Sequence, residues 1–144
     1  MNLVDDLNIL LSDLAVFYRK LQNYHWNVEG KDFFVVHAKL EEYYDEINAQ
    51  IDEVGEHILI LGGQPIGTLK DYLGMTTIQE AGNQKIKSEV VFHNLIFDFS
   101  ELLKKSIEIK EKADNEKEYG TSTLMDDLIK DYTKKIWMIK QSME

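Results

Sequence analysis

In the stretch LEEYYDEINAQIDEVGEHILIL, residues 40–61, apolar side chains recur at strictly alternating steps of four and three residues. Side chains at these spacings lie on one face of an α-helix, so the stretch predicts a long helix with one buried face. The next residues, GGQP at positions 62–65, include the only proline of the chain and predict the end of this helix.

Three further stretches show the same period, within residues 3–21, 92–109 and 124–139. A turn at Gly30, followed by Asp32 as N-cap, makes the first two helices antiparallel neighbours. The polar residues 112–115 are expected to end the third helix, and the fourth is expected to start near residues 121–123. No stretch alternates in the manner of a β-strand. We therefore expect an all-α four-helix bundle forming one domain, residues 1–144, with a short helix near residues 69–73 in the long crossover between the second and third helices.

Composition narrows the classes of function. The chain has no cysteine, which excludes disulfides, thiolate metal sites and cysteine nucleophiles, so any metal must be held by nitrogen and oxygen. Its net charge of −10 disfavours general attraction to nucleic acid or anionic membranes. The N-terminal MNLVDD carries an acidic pair where a secretory signal carries positive charge, and no apolar run reaches membrane-spanning length. These features make the cytoplasm the expected location.

A strip of metal-binding residue types follows the second helix beside its apolar face. At about 100° per residue, His37, Glu41, Asp52 and Glu56 fall within an arc of about 100°. Imidazole together with carboxylate suits iron, zinc or manganese. The alternative is an ordinary solvated face with a structural histidine, because acidic residues are common on exposed helix surfaces.

The spacing along the helix divides this strip into two half-sites. His37 and Asp52 are about 22 Å apart at 1.5 Å per residue, so they cannot share a metal within one chain. If the hairpin turns near Gly30, His25 on the first helix lies close to His37 and completes a half-site with Glu41. A two-fold dimer would bring the half-site of one copy against Asp52 and Glu56 of the other, twice.

Several motifs together resemble the Dps family of mini-ferritins: NYHWNV at 23–28, FFVVH at 33–37, IDEVGE at 51–56, LGGQP at 61–65 and IWM at 136–138. The resemblance covers nearly the whole chain. It implies a ferritin-like fold and a hollow homo-dodecamer built from two-fold dimers. It also implies oxidation of Fe(II), preferably by hydrogen peroxide, with storage of Fe(III) as a mineral. The inter-subunit ferroxidase centre is matched here by His25, His37, Glu41, Asp52 and Glu56.

The resemblance also suggests roles for residues near that centre and at the pores. Trp26 is a candidate for quenching oxidising equivalents, although an aromatic at a helix end also suits simple packing. His57 stands where the family often has arginine, and we expect a structural or intersubunit hydrogen bond from it. The family builds acidic three-fold pores for iron entry, which the start of the fourth helix matches with Asp126, Asp127 and Asp131.

Two departures from the family pattern bear on activity. Glu41 stands where the family usually has aspartate, which lengthens the ligand by one methylene and puts the oxidation rate in doubt. The lysine-rich tail by which some members bind DNA is missing, so we expect DNA binding to be unlikely.

Two other functions stay open from sequence. An ordinary di-iron enzyme would carry Glu-x-x-His pairs on two helices, but the residues three before the four histidines are Gln22, Phe34, Val54 and Val90. A nucleoid-associated or structural oligomer with little ferroxidase activity is the other alternative, and its expected feature would be a basic arm.

Overall fold

A computed structural model describes residues 1–143 of the chain. Five helices account for most of these residues, and two short strands lie between them. In chain order the elements are α1 (Leu3–Asn27), β1 (Val28–Glu29), α2 (Phe33–Ile60), α3 (Leu69–Met75), β2 (Ile86–Lys87), α4 (Ser88–Asn115) and α5 (Tyr119–Ser142). The predicted all-α architecture with a short helix in the crossover is confirmed.

The centre of the bundle is a cluster of aromatic rings around Phe99 of α4. Phe17 of α1 meets the Phe99 ring edge-on at 5.0 Å between centroids, and Tyr43 of α2 does so at 5.7 Å. Tyr132 of α5 lies 5.8 Å from the same ring. Each long helix therefore contributes one ring to a single buried contact, and aromatic pairs of this kind stabilise a core beyond the area they bury.

The helix ends depend on local capping chemistry. Asn2 precedes α1 and forms a capping box: its Oδ1 accepts from the Asp5 amide at 2.8 Å, and its own amide donates to Asp5 Oδ2 at 3.2 Å. Asp32 occupies the expected N-cap position of α2, but its side chain makes no capping hydrogen bond. The start of α2 is fixed instead by the histidine contacts described below.

Two helix bounds and one pair of strands differ from the sequence-based expectation. Helix α4 continues through residues 112–115, because Ala113 is fully buried and extends the apolar face by one turn. Helix α5 begins at Tyr119, two residues early. The strands, which we did not expect, form one parallel pair with Val28 opposite Ile86 and Glu29 opposite Lys87. A pair of two residues is too short to produce an alternating pattern in the sequence.

Two contacts fix the crossover to the bundle. Gly63 follows α2 and packs closely against α1. A Cβ added at this position would lie 2.7 Å from the side chain of Val4. Further along, the buried carboxylate of Asp13 accepts hydrogen bonds from the amide and hydroxyl of Thr77, and it forms an ion pair with Lys105 of α4. Within residues 1–143, no helix has the length and apolar content required to span a membrane.

Candidate metal centre

His25 and His37 hold each other in place through a reciprocal pair of hydrogen bonds. His25 stands near the end of α1 and His37 in the first turns of α2. The Nδ1 of His25 lies 2.7 Å from the carbonyl oxygen of His37, and the Nδ1 of His37 lies 2.7 Å from the carbonyl oxygen of His25. The two imidazoles are consequently stacked, with centroids 3.7 Å apart and planes 14° from parallel.

This arrangement determines which ring nitrogen is free. A carbonyl oxygen can only accept, so each Nδ1 must carry the proton and donate it. In the neutral imidazole the other nitrogen, Nε2, then keeps its lone pair. Hydrogen bonding of the second nitrogen to a backbone carbonyl is the usual means by which proteins orient a metal-binding histidine. The Nε2 atoms of His25 and His37 are thus the nitrogens that could bind a metal ion.

Two aromatic side chains of α2 enclose the histidine pair. Phe33 stacks on His37 at 4.8 Å and 22°, so the imidazole is sandwiched between Phe33 and His25. Tyr44 approaches the ring of His25 edge-on, with centroids 5.4 Å apart. These contacts restrict the tilt of both imidazoles, and they leave His25 only 6% exposed.

Glu41 completes the polar side of this cluster. Its Oε1 lies 3.6 Å from Nε2 of His25, and its side chain is more than half exposed. One turn of α2 separates Glu41 from His37. The carboxylate therefore stands beside the free nitrogen of His25 while retaining the freedom to turn toward a bound cation.

Asp52 and Glu56 form a second polar group further along α2. The pKa of Glu56 is raised above its ordinary value, mainly by a hydrogen bond with the Asp52 side chain and further by the negative charge of Asp52 and by desolvation. The negative charge of Asp52 thus favours the protonated form of Glu56. Two neighbouring carboxylates of this kind suit a hard cation.

The two groups are too far apart to act together in one chain. His37 and Asp52 are fifteen positions apart in one continuous helix, which corresponds to about 22 Å along the helix axis. Within residues 1–143, no group of three or more His, Asp or Glu side chains is arranged so that one chain alone could hold a metal ion. The histidine pair with Glu41 is one cluster, and the Asp52–Glu56 pair is another.

Trp26, the candidate quencher, points away from the core. Its side chain is 58% exposed, and it lines a shallow surface cavity together with Arg19, Asn23 and Asn27. Among the described residues, the aromatic rings that contact His25 belong to His37 and Tyr44.

His57 and Asp127 lie beside Glu56 of the second carboxylate group. His57 Nε2 lies 2.7 Å from the hydroxyl of Thr121 in the same chain, which is a structural contact between α2 and α5. Asp126 pairs with Lys110, and Asp131 pairs with Lys135. Asp127 remains exposed, and it lines a cavity of about 390 Å³ together with Glu53, Glu56 and His57.

Comparison with known proteins identifies the family. The sequence model of the ferritin family, described as a ferritin-like domain, matches residues 4–144 of the chain. The DNA protection during starvation protein 2 of Bacillus anthracis is 36% identical over 140 residues, which cover 95% of this chain and 93% of that protein. The chain belongs to the Dps family of ferritin-like proteins. The family resemblance inferred from the sequence motifs is thereby confirmed.

Other Dps relatives support the same conclusion over the full length. The DNA protection during starvation protein of Helicobacter pylori strain J99 is 33% identical over 140 residues, 97% of each chain. The crystal structure of the Dps protein of Vibrio cholerae O1 superposes with a TM-score of 0.95 at 37% identity, covering 99% of this chain and 89% of that one. That protein is described as a member of a broad superfamily of ferritin-like diiron-carboxylate proteins.

Sequence reasoning missed two residues that surround the candidate site. Tyr44 belongs to the regular apolar stripe of α2, so its sequence context predicts a core position. Phe33 precedes His37 by four residues, the spacing that places two side chains on one helix face, and this spacing was the available signal.

Proposed function

We propose that this Dps-family protein oxidises Fe(II), preferably with hydrogen peroxide, at centres shared between two subunits of a dodecameric shell that stores the resulting Fe(III). The observation that carries the proposal is the reciprocal hydrogen bonding of His25 and His37, which presents two free Nε2 atoms beside Glu41. Membership in a family of ferritin-like proteins supports iron as the substrate.

A second copy of the chain supplies the ligands that one copy lacks. An isologous two-fold contact along α1 and α2 sets the His25–His37–Glu41 cluster of each subunit against the Asp52–Glu56 pair of its partner. Two equivalent centres arise in each dimer. Each one combines two imidazole nitrogens with three carboxylates, which is more than either cluster of one chain provides alone.

The ligand set suits both oxidation states of the substrate. Neutral imidazoles retain Fe(II), and carboxylates favour the harder and more highly charged Fe(III). Two Fe(II) ions give up one electron each, and one peroxide accepts both and becomes two hydroxide ions. Because peroxide and Fe(II) are consumed together, little hydroxyl radical forms, and Fe(III) passes to an acidic interior.

Complementation between two inactive variants tests the shared centre. One variant carries His25→Ala and His37→Ala, and the other carries Asp52→Ala and Glu56→Ala. Each should lose rapid peroxide-dependent iron oxidation when assembled alone. In a mixed dimer, one of the two centres collects all four substitutions and the other has none, so co-assembly should restore part of the activity. The measurement is absorbance of Fe(III) after anaerobic Fe(II) loading and peroxide addition, with the ratio of iron to peroxide recorded.

Control variants and mass analysis make the result decisive. Glu53→Ala with Glu42→Ala removes two acidic residues of α2 outside the proposed ligand set, and it should leave the oxidation rate unchanged. Mixed oligomers must be verified by native mass spectrometry. Verified mixed oligomers without recovered activity would contradict a shared centre. Rapid oxidation by either doubly substituted parent would contradict the ligand assignment.

A further inference from the structure

A polar cavity lies between α1, α4 and the end of the crossover. It encloses about 320 Å³, which is within the range of small-molecule sites. Helix α1 contributes Lys20 and Tyr24, helix α4 contributes Asn94 and Asp98, and crossover residues between 79 and 84 form a third wall. None of the proposed iron ligands lines this space, which we call the α1–α4 cavity.

A buried ion pair forms part of the cavity wall. The Nζ of Lys20 lies 2.7 Å from Oδ2 of Asp98, and both side chains are more than nine-tenths buried. This Oδ2 nonetheless has no partner in hydrogen-bonding geometry within residues 1–143. An ammonium group has three donors and a carboxylate has two acceptor oxygens, so their mutual contact leaves most of this hydrogen-bonding capacity unused.

Such a pair is costly without further polar partners. Burying two charges is repaid only when additional hydrogen bonds satisfy the remaining protons and lone pairs. Burial raises the pKa of Asp98 in spite of the neighbouring Lys20, so the lysine alone does not offset the desolvation of the carboxylate. A ligand with a positive group for Asp98 and a negative group for Lys20 would satisfy both residues.

The rest of the wall offers both polar and apolar contacts. The amide nitrogen of Asn94 donates to the hydroxyl of Tyr24 at 3.0 Å, which leaves the amide oxygen of Asn94 as an acceptor. Asn23 adds a second amide. Val90 and Phe97 of α4 are exposed and line the same cavity. The cavity therefore suits a small molecule with a polar end and an apolar end.

The charges of the wall disfavour simple ions. Besides the ion pair, the wall includes Glu80, an exposed residue shared with a neighbouring cavity. An inorganic anion would meet the carboxylates of Asp98 and Glu80, and a simple cation would meet the ammonium of Lys20. A ligand that carries both charges on neighbouring atoms avoids these repulsions, because each charge can face its opposite.

We propose that the α1–α4 cavity binds a free zwitterionic α-amino acid with an apolar side chain. The ligand carboxylate accepts from Lys20, and the ligand ammonium donates to Asp98. These two groups of an amino acid are about 3 Å apart, so they can lie antiparallel to the Lys20–Asp98 pair. The ligand side chain contacts Val90 and Phe97. This site is separate from the proposed iron centre and does not depend on it.

Equilibrium dialysis of the assembled protein against isotopically labelled L-leucine tests the site. Isoamylamine is leucine without its carboxylate, and isocaproate is leucine without its ammonium group. We expect saturable binding of one leucine per chain. Each analogue should bind at least about tenfold more weakly, because it loses a hydrogen bond between charged groups.

Two tryptophan variants locate the binding. Val90→Trp fills the cavity with a large ring and leaves the ion pair intact. Ile107→Trp makes the same kind of change at another exposed apolar residue of α4, which does not line the cavity. Leucine binding should be lost in the first variant and unchanged in the second. Both should assemble and oxidise iron like the unmodified protein.

A charge variant tests the orientation of the ligand. Asp98→Asn keeps the size of the side chain and removes its negative charge. It should weaken leucine binding at least about tenfold, because the ligand ammonium loses its charged acceptor. Isocaproate binding should not weaken, because this analogue has no ammonium group.

The outcomes that contradict the proposal are distinct. Equal binding of leucine and either analogue would overturn recognition of a zwitterion. Leucine binding that survives Val90→Trp would place the ligand elsewhere and overturn the site. Absence of saturable leucine binding up to about 10 mM would overturn the proposal altogether, and so would saturable binding of glucose in its place, which would indicate a polyol site.

Discussion

At the scale of single residues, the histidine pair shows how the backbone prepares a side chain for binding. His25 and His37 each use a main-chain carbonyl of the other as hydrogen-bond acceptor, so neither ring relies on a separate side chain for orientation. The fixed tautomer means that a cation need not reorganise the rings before it binds. Preorganised ligands of this kind bind metals with a smaller entropic cost.

The carboxylate of Glu41 can be tested apart from the histidines. Glu41→Gln removes a negative charge beside His25 Nε2 but keeps the size of the side chain. We expect it to weaken Fe(II) binding at least about tenfold, the lower bound observed when a metal site loses even an outer-shell partner. Isothermal titration under anaerobic conditions measures this affinity.

Glu42→Gln is the matched control for that experiment. Glu42 is the next residue along α2, and it forms an exposed ion pair with Lys39 at 3.0 Å. Its substitution should leave Fe(II) affinity unchanged. Equal affinities for the Glu41 and Glu42 variants would remove Glu41 from the ligand set.

A buried ion pair makes a prediction about stability and pH. Lys20 and Asp98 lie 2.7 Å apart and are both almost fully buried, and burial raises the pKa of Asp98 above its ordinary value in spite of the opposing effect of Lys20. Lys20→Met leaves the Asp98 carboxylate without a partner. We expect a loss of about 3–5 kcal/mol at neutral pH, the range for breaking a buried pair.

The sign of the pH dependence follows from the raised pKa of Asp98. Between the unfolded and folded pKa values the folded protein binds more protons, so the contribution of Asp98 to stability falls as pH rises through this window. Lys20→Met removes the charge that lowers the pKa of Asp98, so the folded-state pKa, which is the upper limit of the window, moves to higher pH. Acidification should therefore recover part of the lost stability. Urea unfolding at fixed protein concentration, from pH 5 to pH 8 in about unit steps, measures this recovery.

Lys39→Met is the control for the ion-pair prediction, because Lys39 belongs to an exposed pair worth about 0–1 kcal/mol. A Lys20→Met variant with the same stability as Lys39→Met at every pH would contradict the prediction.

Residue types and spacing predicted the histidines and carboxylates of the candidate site but not their surroundings. His25 and His37 stand out because each is a rare residue at a helix end beside a predicted turn. Tyr44 could not be distinguished from a core residue, because it obeys the apolar period. The Lys20–Asp98 pair was also unpredictable, since charged residues are rarely buried and nothing local marks the partner 78 positions away.

At the scale of elements, Gly63 determines how closely the start of α1 approaches the end of α2. A Cβ at position 63 would lie 2.7 Å and 2.8 Å from the two methyl groups of Val4. We expect Gly63→Ala to cost about 1–3 kcal/mol through overpacking. Urea unfolding of the variant measures this loss.

Gly67 offers the comparison for Gly63. A Cβ at Gly67 would meet no heavy atom within 4 Å. Gly67→Ala should therefore be neutral or slightly stabilising, because it restricts the unfolded chain. Equal effects of the two substitutions would show that the Val4 contact carries no strain.

Helix identity was predictable from the sequence, and helix ends were less so. The apolar period extends over many residues and therefore identified all four long helices. The end of α4 depends on the burial of Ala113, which packs against the bundle. Because this side chain is small, it does not stand out in the apolar pattern of the sequence. The pairing of Val28 with Ile86 depends on the path of the crossover, which local patterns do not encode.

At the scale of the whole molecule, several large apolar side chains remain exposed on one chain. The exposed fraction is 87% for Phe34, 77% for Ile60 and 78% for Leu69. Contact with other subunits would cover such side chains. This supports the proposal that the chain is built to assemble.

We expect a closed dodecamer in solution. Light scattering at micromolar concentration should give twelve times the chain mass of 16.8 kDa. Leu69→Asp places a charge on the exposed α3 surface, and it should shift the mass distribution toward smaller species if that surface is covered. A stable monomer or dimer of the unmodified protein would contradict this expectation.

The reciprocal hydrogen bonds between His25 and His37 also bear on the order of events during synthesis. The two residues are only twelve positions apart, so their contact closes a short loop and belongs to the local interactions that form quickly in folding. The N-terminal hairpin can therefore adopt its ligand geometry while the rest of the chain is still being made. Under the shared-centre proposal, such a hairpin is not yet competent to oxidise iron, because Asp52 and Glu56 must come from another finished copy. The onset of activity is then a bimolecular event, so iron oxidation should lag behind translation by a delay that shortens as the subunit concentration rises.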